Sequence, residues 1–319
     1  MTTELRTGPR KVQPTAHEGT PDPVLAGDRL LYDGMTCHVG GIGGPPMLLL
    51  HDLHLTASVA ELRPLYERLR DRHTVFAPDL PGFGLSKRTV LSPTPRRLAD
   101  AVHATLAQID RHCGAGSVDA VAVGQGCEIL ARAAVEAPFH FAKLAFVSPT
   151  GLEGRGQFRR QCVGNREHPL RQALLTSPRW GPWLYRRLTQ PARLRRWMER
   201  RWGGVPIDES LFSQALASAS SPGAWRAPMQ VLAGSLSGTD VLAIYERVSS
   251  PVWMSYGVCG RRTNYRALTR LPALAGWRRT AFYTGDLPYF EQPDAFVTCL
   301  ESYLDQPPIP VALHDCAQA

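Results

Sequence analysis

Val121-Ala122-Val123-Gly124-Gln125-Gly126-Cys127-Glu128 reads as a strand that runs into a sharp turn and then a helix. The apex of such a strand-to-helix turn is strained, and the residues beside it must be small for the chain to fold back on itself. Ala122 and Gly126 meet that demand. The apex itself is Gly124, so a turn suited to displaying a nucleophile displays no hydroxyl, thiol or carboxylate.

Working outward, residues 47–50, 75–78, 118–123 and 144–147 are short apolar runs of strand character, and residues 59–69 and 95–112 between them have helical spacing. Strand and helix in alternation predict an α/β fold with a mostly parallel, doubly wound sheet covered on both faces. From residue 151 the strand signal gives way to helical text rich in arginine and aromatics. It returns at 251–255 and 279–283. The organisation expected is a flexible tail over 1–24, the first half of a core over 25–150, a helical cap over 151–235, the second half of the core over 236–305, and a tail over 306–319.

The 319 residues, 44% of them apolar, suffice for one large core with an inserted cap. No run approaches the roughly 18 to 20 apolar residues of a membrane span, and residues 1–24 lack the apolar stretch of a signal peptide, so a cytoplasmic protein is expected. The 7 cysteines are scattered without C-x-x-C spacing, which predicts reduced thiols and neither a disulfide framework nor a metal site. No cofactor motif follows a strand; Gly40-Gly41-Ile42-Gly43-Gly44 reads as a hairpin region before the first central strand. The net charge of +8 and the arginines interleaved with Trp180, Trp183, Tyr185, Trp197 and Trp202 raise a nucleic-acid reading. A solvated face of an amphipathic helical segment is the reading preferred to it. A third is contact with an anionic or carrier-bound substrate.

Several stretches together resemble the α/β-hydrolase superfamily from about residue 27 to residue 304. Leu48-Leu49-Leu50-His51-Asp52-Leu53 is similar to the first central strand and its H-G turn. Asp79-Leu80-Pro81-Gly82-Phe83-Gly84-Leu85-Ser86 is similar to the D-x-P-G-x-G-x-S loop. Phe146-Val147-Ser148-Pro149-Thr150-Gly151 resembles the strand end that enters the cap. Ser250-Pro251-Val252-Trp253-Met254-Ser255-Tyr256-Gly257 resembles the strand before the acid loop, and Thr284-Gly285-Asp286-Leu287-Pro288-Tyr289-Phe290-Glu291-Gln292-Pro293 the G-H-x-P-x-x-E-x-P histidine loop. The resemblance implies a Ser-Asp-His set, and the chain departs from it at every member: Gly124 stands for the nucleophile, Asp286 for the histidine, and Arg261 or Arg262 for the acid.

The same resemblance implies an oxyanion hole made by the backbone N–H groups of Gln125 and Leu53, at the positive end of the following helix. Asp52 replaces the glycine of the H-G turn and is expected either to project near that hole or to cap the loop. His51 matches a histidine that is structural in the family, whereas His54 can reach the pocket. Cys127 reads as a packed thiol in preference to a displaced nucleophile, and Tyr289 as a donor into the site. Asp286 and Arg261 form a structural ion pair that lowers the carboxyl pKa, or stand apart with Asp286 as a desolvated proton-transfer group, or are simply exposed to solvent. Trp180, Trp183 and Tyr185 are the candidate cap residues of a substrate pocket, though core packing is the more usual role of such aromatics.

Three functions compete on this reading. One is a cofactor-independent enzyme that cyclises, eliminates or isomerises a hydrophobic small molecule, in the manner of hydrolase-like proteins of natural-product pathways. The second is a catalytically silent ligand-binding or partner module, and the third a hydrolase with relocated residues. The first is the leading expectation.

Overall fold

The computed structural model describes residues 10–12, 25–88, 93–152, 169–201, 207–234, 240–260, 265, 274 and 276–307. Nine strands form a single sheet in the order β1-β2-β3-β5-β4-β6-β7-β8-β9. These are β1 (Arg10–Val12), β2 (Asp28–Tyr32), β3 (Met35–Gly40), β4 (Pro46–Leu50), β5 (Thr74–Pro78), β6 (Val118–Val123), β7 (Phe141–Val147), β8 (Val252–Gly257) and β9 (Arg278–Phe282). The first three run antiparallel at one edge, and every pair from β5 to β9 is parallel. Within the stretch expected to be a tail, residues 10–12 instead pair with β2 as an edge strand.

The central strands are buried on both faces, which is why they read as continuous apolar runs. Along β4, Leu48 and Leu50 face one core layer while Met47 and Leu49 face the other. The first layer is closed by helix Pro95–Cys113, whose Leu98, Val102, Leu106 and Ile109 fall on one stripe, and by helix Gly126–Glu136. Thr94 caps the longer helix by accepting the Arg97 N–H, and Gly114 at φ 87° ends it. The second layer is closed by helices Arg63–Leu69 and Pro293–Leu304.

Between β7 and β8 the described chain holds no strand but helices Pro169–Thr176, Gly181–Leu188, Pro191–Arg201, Glu209–Ser220, Arg226–Leu232 and Val241–Glu246. Leu175, Tyr185, Ala224, Met229 and Ala233 make a small apolar centre there. Leu194, Met198, Leu211, Phe212 and Ala215 instead join the second layer of the main core, so this helical block is packed onto the end of the sheet where β4 and β6 finish.

Candidate functional site

The turn after β6 takes the shape its sequence calls for. Gly124 sits at φ 56°, in the left-handed region, and its N–H is held by the Val147 carbonyl at 2.9 Å. Gly126 opens the helix with the His51 carbonyl oxygen 2.4 Å from where a Cβ would lie, so a larger residue there would collide with backbone. The space above Gly124 is nevertheless filled. A Cβ on Gly124 would lie 2.3 Å from Cγ of Asp52.

Asp52 follows β4, in the turn where the family pattern has glycine, and it is fully buried. Its Oδ1 accepts the Leu53 N–H and the Gln125 N–H, each at 2.7 Å. Those are the two N–H groups that the resemblance implies for an oxyanion hole, and both are taken by the chain's own carboxylate. A carboxylate is the natural occupant of such a place: two converging N–H groups at the positive end of a helix favour negative charge. Oδ2 accepts from Nη2 of Arg201, the last residue of helix Pro191–Arg201, which is buried as well.

A second acid completes the group. Glu61 lies in the short turn Val59–Leu62, which Ser58 caps, and its Oε1 accepts the Asp52 N–H at 2.6 Å while Oε2 meets Nε2 of His54 at 2.7 Å. Burial opposes the charge on Glu61, but His54 and the Arg201 guanidinium outweigh it and hold the carboxyl below its ordinary 4.5. Burial pushes His54 below 6.5, against the pull of Glu61. Nδ1 of His54 accepts the Thr56 N–H at 3.3 Å, which leaves the proton on Nε2; the contact with Glu61 is thus a hydrogen bond from a neutral imidazole and not an ion pair. Burial would strip the proton from Arg201, but Asp52 and Glu61 more than restore it, and its pKa is raised.

The His54 and Glu61 shifts have one sign. Below 6.5 the unfolded chain binds the His54 proton that the folded chain refuses, and below 4.5 the same holds for Glu61, so stability falls on acidification. His38 and His73, also lowered chiefly by burial, add to the first part of that fall. Denaturant midpoints measured from neutral pH down to about pH 5 should therefore decline, and less steeply for His54→Gln than for the parent. Equal slopes would mean that His54 is not held neutral.

The other candidates divide. Leu53 and Gln125 supply their N–H groups as expected, but to Asp52. His51 is structural: its Nε2 accepts the Leu80 N–H at 3.0 Å, so Nδ1 donates to the Asp52 carbonyl at 2.6 Å. Asp79 of the neighbouring loop ties the Val59 and Leu85 N–H groups, at 2.9 and 2.8 Å. Cys127 is buried with Sγ against the Ala122 carbonyl, and burial drives its pKa well above 9.0, which excludes a thiolate nucleophile. The Tyr289 phenol is buried toward the Asp52, Glu61 and Arg201 charges, its hydroxyl has no hydrogen-bond partner among the described residues, and burial first of all keeps it protonated.

Asp286 is half-buried, with Oδ1 so close to Gly260 that a Cβ there would lie 2.3 Å away, and its carbonyl accepts from Ser148 Oγ at 2.6 Å. Arg261 and Arg262, with Trp202, lie outside the described residues. Trp180 and Trp183 are 58% and 54% exposed, and Arg187 lies over Trp183. Tyr185 is buried and donates to the Leu55 carbonyl at 2.8 Å, tying the cap to the turn that follows Asp52.

Sequence reasoning missed Glu61 and Arg201. The solvated-face reading of the arginines fits Arg196 and Arg200, which are exposed, but not Arg201, which is paired inside the core. The phase of its helix carries the missing signal, since Leu194, Met198 and Arg201 form one buried stripe. Glu61 is signalled by being the single charge in Val59-Ala60-Glu61-Leu62.

Among the described residues the arrangement offers no nucleophile at Gly124, and the Leu53 and Gln125 N–H groups are both engaged by Asp52. A cavity of about 20 Å³ beside His54, Glu61, Trp197 and Arg201 has room for a water and not for a substrate. Among the described residues no three His, Cys, Asp or Glu side chains are grouped to hold a metal ion.

A family model described as the alpha/beta hydrolase family matches residues 47–298. The chain belongs to the alpha/beta hydrolase family. Among curated relatives, a pimeloyl-[acyl-carrier protein] methyl ester esterase of Xylella fastidiosa is 41% identical over 64 residues, which are 20% of this chain and 23% of that protein. The match thus spans under a quarter of the relative's length. Among solved structures, a 2-hydroxy-6-oxo-6-phenylhexa-2,4-dienoate hydrolase from Rhodococcus superposes with a TM-score of 0.66 at 19% identity, covering 85% of this chain and 95% of the other. A serine hydrolase involved in carbazole degradation gives 0.65 at 15%, covering 85% and 94%. At such identities the likeness is one of fold. No helix among the described residues is long and apolar enough to cross a membrane.

Proposed function

We propose that this member of the family is a pseudo-hydrolase, a protein that binds a small molecule or a partner through the hydrolase scaffold without forming an acyl intermediate. One observation carries the reading: Oδ1 of Asp52 accepts both N–H groups on which a tetrahedral oxyanion would depend. An ester carbonyl entering the site would have to displace a carboxylate anchored by two backbone donors and by Arg201, and it would find no nucleophile at Gly124. The basic cap suits an anionic or carrier-bound ligand better than a cationic one. The test uses p-nitrophenyl esters and a fluorophosphonate probe. Hydrolysis at the buffer background and no labelling are expected; saturable hydrolysis that disappears in Asp52→Asn would overturn the reading.

A second reading, that of a non-hydrolytic enzyme for a hydrophobic small molecule, is favoured by the grouping of Asp52, Glu61, His54, Arg201 and Tyr289 in one buried place, since perturbed titratable groups gather at active sites. It requires Arg201 to withdraw so that Asp52 and Tyr289 face a substrate. Conversion of a pathway intermediate that is lost in Asp52→Asn supports it, and conversion that survives in that variant removes Asp52 from the chemistry.

A further inference from the structure

A groove of about 510 Å³ runs across the cap, away from the buried Asp52 group, between helices Gly181–Leu188, Glu209–Ser220 and the start of Arg226–Leu232. Its size is that of a small-molecule site. Pro182, Pro191, Leu216, Ala219 and Trp225 give it apolar walls, Thr189, Gln190, Ser220 and Ser221 line the rest, and Arg186 is the only charge lining it among the described residues. Arg186 is exposed and makes no ion pair among the described residues, whereas nearby Arg195 is engaged by Glu209 at 2.6 Å. The wall is a built one: Gly181 lets the Trp225 ring come within 2.7 Å of the position a Cβ would take.

We propose that this groove binds an amphipathic carboxylate, with its apolar body along Trp225 and Leu216 and its carboxylate on Arg186. A mainly apolar groove with one cation that makes no ion pair, and no acid in its lining, among the described residues selects a monoanion over a neutral or cationic molecule of the same shape. Tyr185 is part of the same lining, and its hydroxyl holds the Leu55 carbonyl, so the floor of the groove is joined directly to the turn that carries Asp52 and His54. The proposal deepens the binding reading and rests on it, in that binding and not turnover is the expected outcome.

The test is calorimetric titration of the full chain with decanoate, decyl alcohol and decyltrimethylammonium, alongside Arg186→Gln, Ala219→Trp and Arg196→Gln. Decanoate is expected to saturate one site and to bind most tightly. Arg186→Gln should weaken decanoate about tenfold and leave the alcohol unchanged, the size expected for one charge-assisted contact. Ala219→Trp should abolish binding by filling the groove, and Arg196→Gln, an exposed arginine outside it, should change nothing. Equal affinity for all three molecules, equal effects of the two arginine variants, or no saturable binding would overturn the proposal. If Ala219→Trp fails to fold, the surface change at Arg186 still decides. Ester hydrolysis followed in the same samples separates the two claims: activity without decanoate binding sinks both, and binding together with activity sinks only the pseudo-hydrolase reading.

Discussion

Arg201→Met is expected to cost about 3–5 kcal/mol of stability, because it leaves Asp52 and Glu61 ionised in the interior without their counter-charge. Both acids are buried, and each helps hold the Arg201 proton, so one guanidinium serves two carboxylates. Nε and Nη1 of Arg201 have no hydrogen-bond partner among the described residues. The arrangement is therefore expensive to bury and more expensive to break. The double variant Asp52→Asn/Arg201→Met should recover part of the loss, since asparagine still offers an oxygen to the Leu53 and Gln125 N–H groups without needing a cation. Denaturant unfolding of the two singles and the double gives the coupling directly. Additive losses would mean that Asp52 and Arg201 are not paired in solution.

Gly124→Ser is the second large effect. It looks like the restoration of a nucleophile, and it is expected to be damaging and inactive. The new Cβ would meet the Asp52 carboxylate at 2.3–2.4 Å, and that carboxylate cannot swing aside without abandoning two backbone donors and Arg201. Overpacking together with a non-glycine residue in the left-handed region should cost roughly 2–5 kcal/mol. Asp52→Gly in the same chain should remove the clash, so that the double variant loses less than the sum of the singles. Ester hydrolysis should stay at background in all three, because no described histidine stands beside residue 124 to activate the hydroxyl: His51 and His54 are held by Leu80 and Glu61. A stable Gly124→Ser protein would place the Asp52 carboxylate elsewhere.

Much of this scaffold was legible from local text. The strand runs, the loop beginning at Asp79 and the small residues around Gly124 are constraints that a few adjacent residues satisfy together, and each is found where its sequence placed it. The site was legible only in outline. That Asp52 replaces a glycine is visible in the sequence; that it reaches the oxyanion donors depends on the pairing of β4 with β6, which brings residues 52 and 125 side by side. Arg201 is indistinguishable from Arg200 by composition, and the difference is one step of helical phase. Trp180 and Trp183 are exposed while Tyr185 is buried, a division that aromatic content alone does not give, since it does not say which face of a helix meets the core.

The contact between Arg201 and Asp52 also bears on how the chain assembles. It joins residues 149 positions apart, and closing so long a loop is slow and entropically costly. Without the helix ending at Arg201, Asp52 after β4 and Glu61 in the turn Val59–Leu62 would have no cation beside them, and the end of the sheet would be electrostatically unfinished. The helical block thus supplies a charge that the core itself needs, and a lid that swung freely away would unmake the floor beneath it.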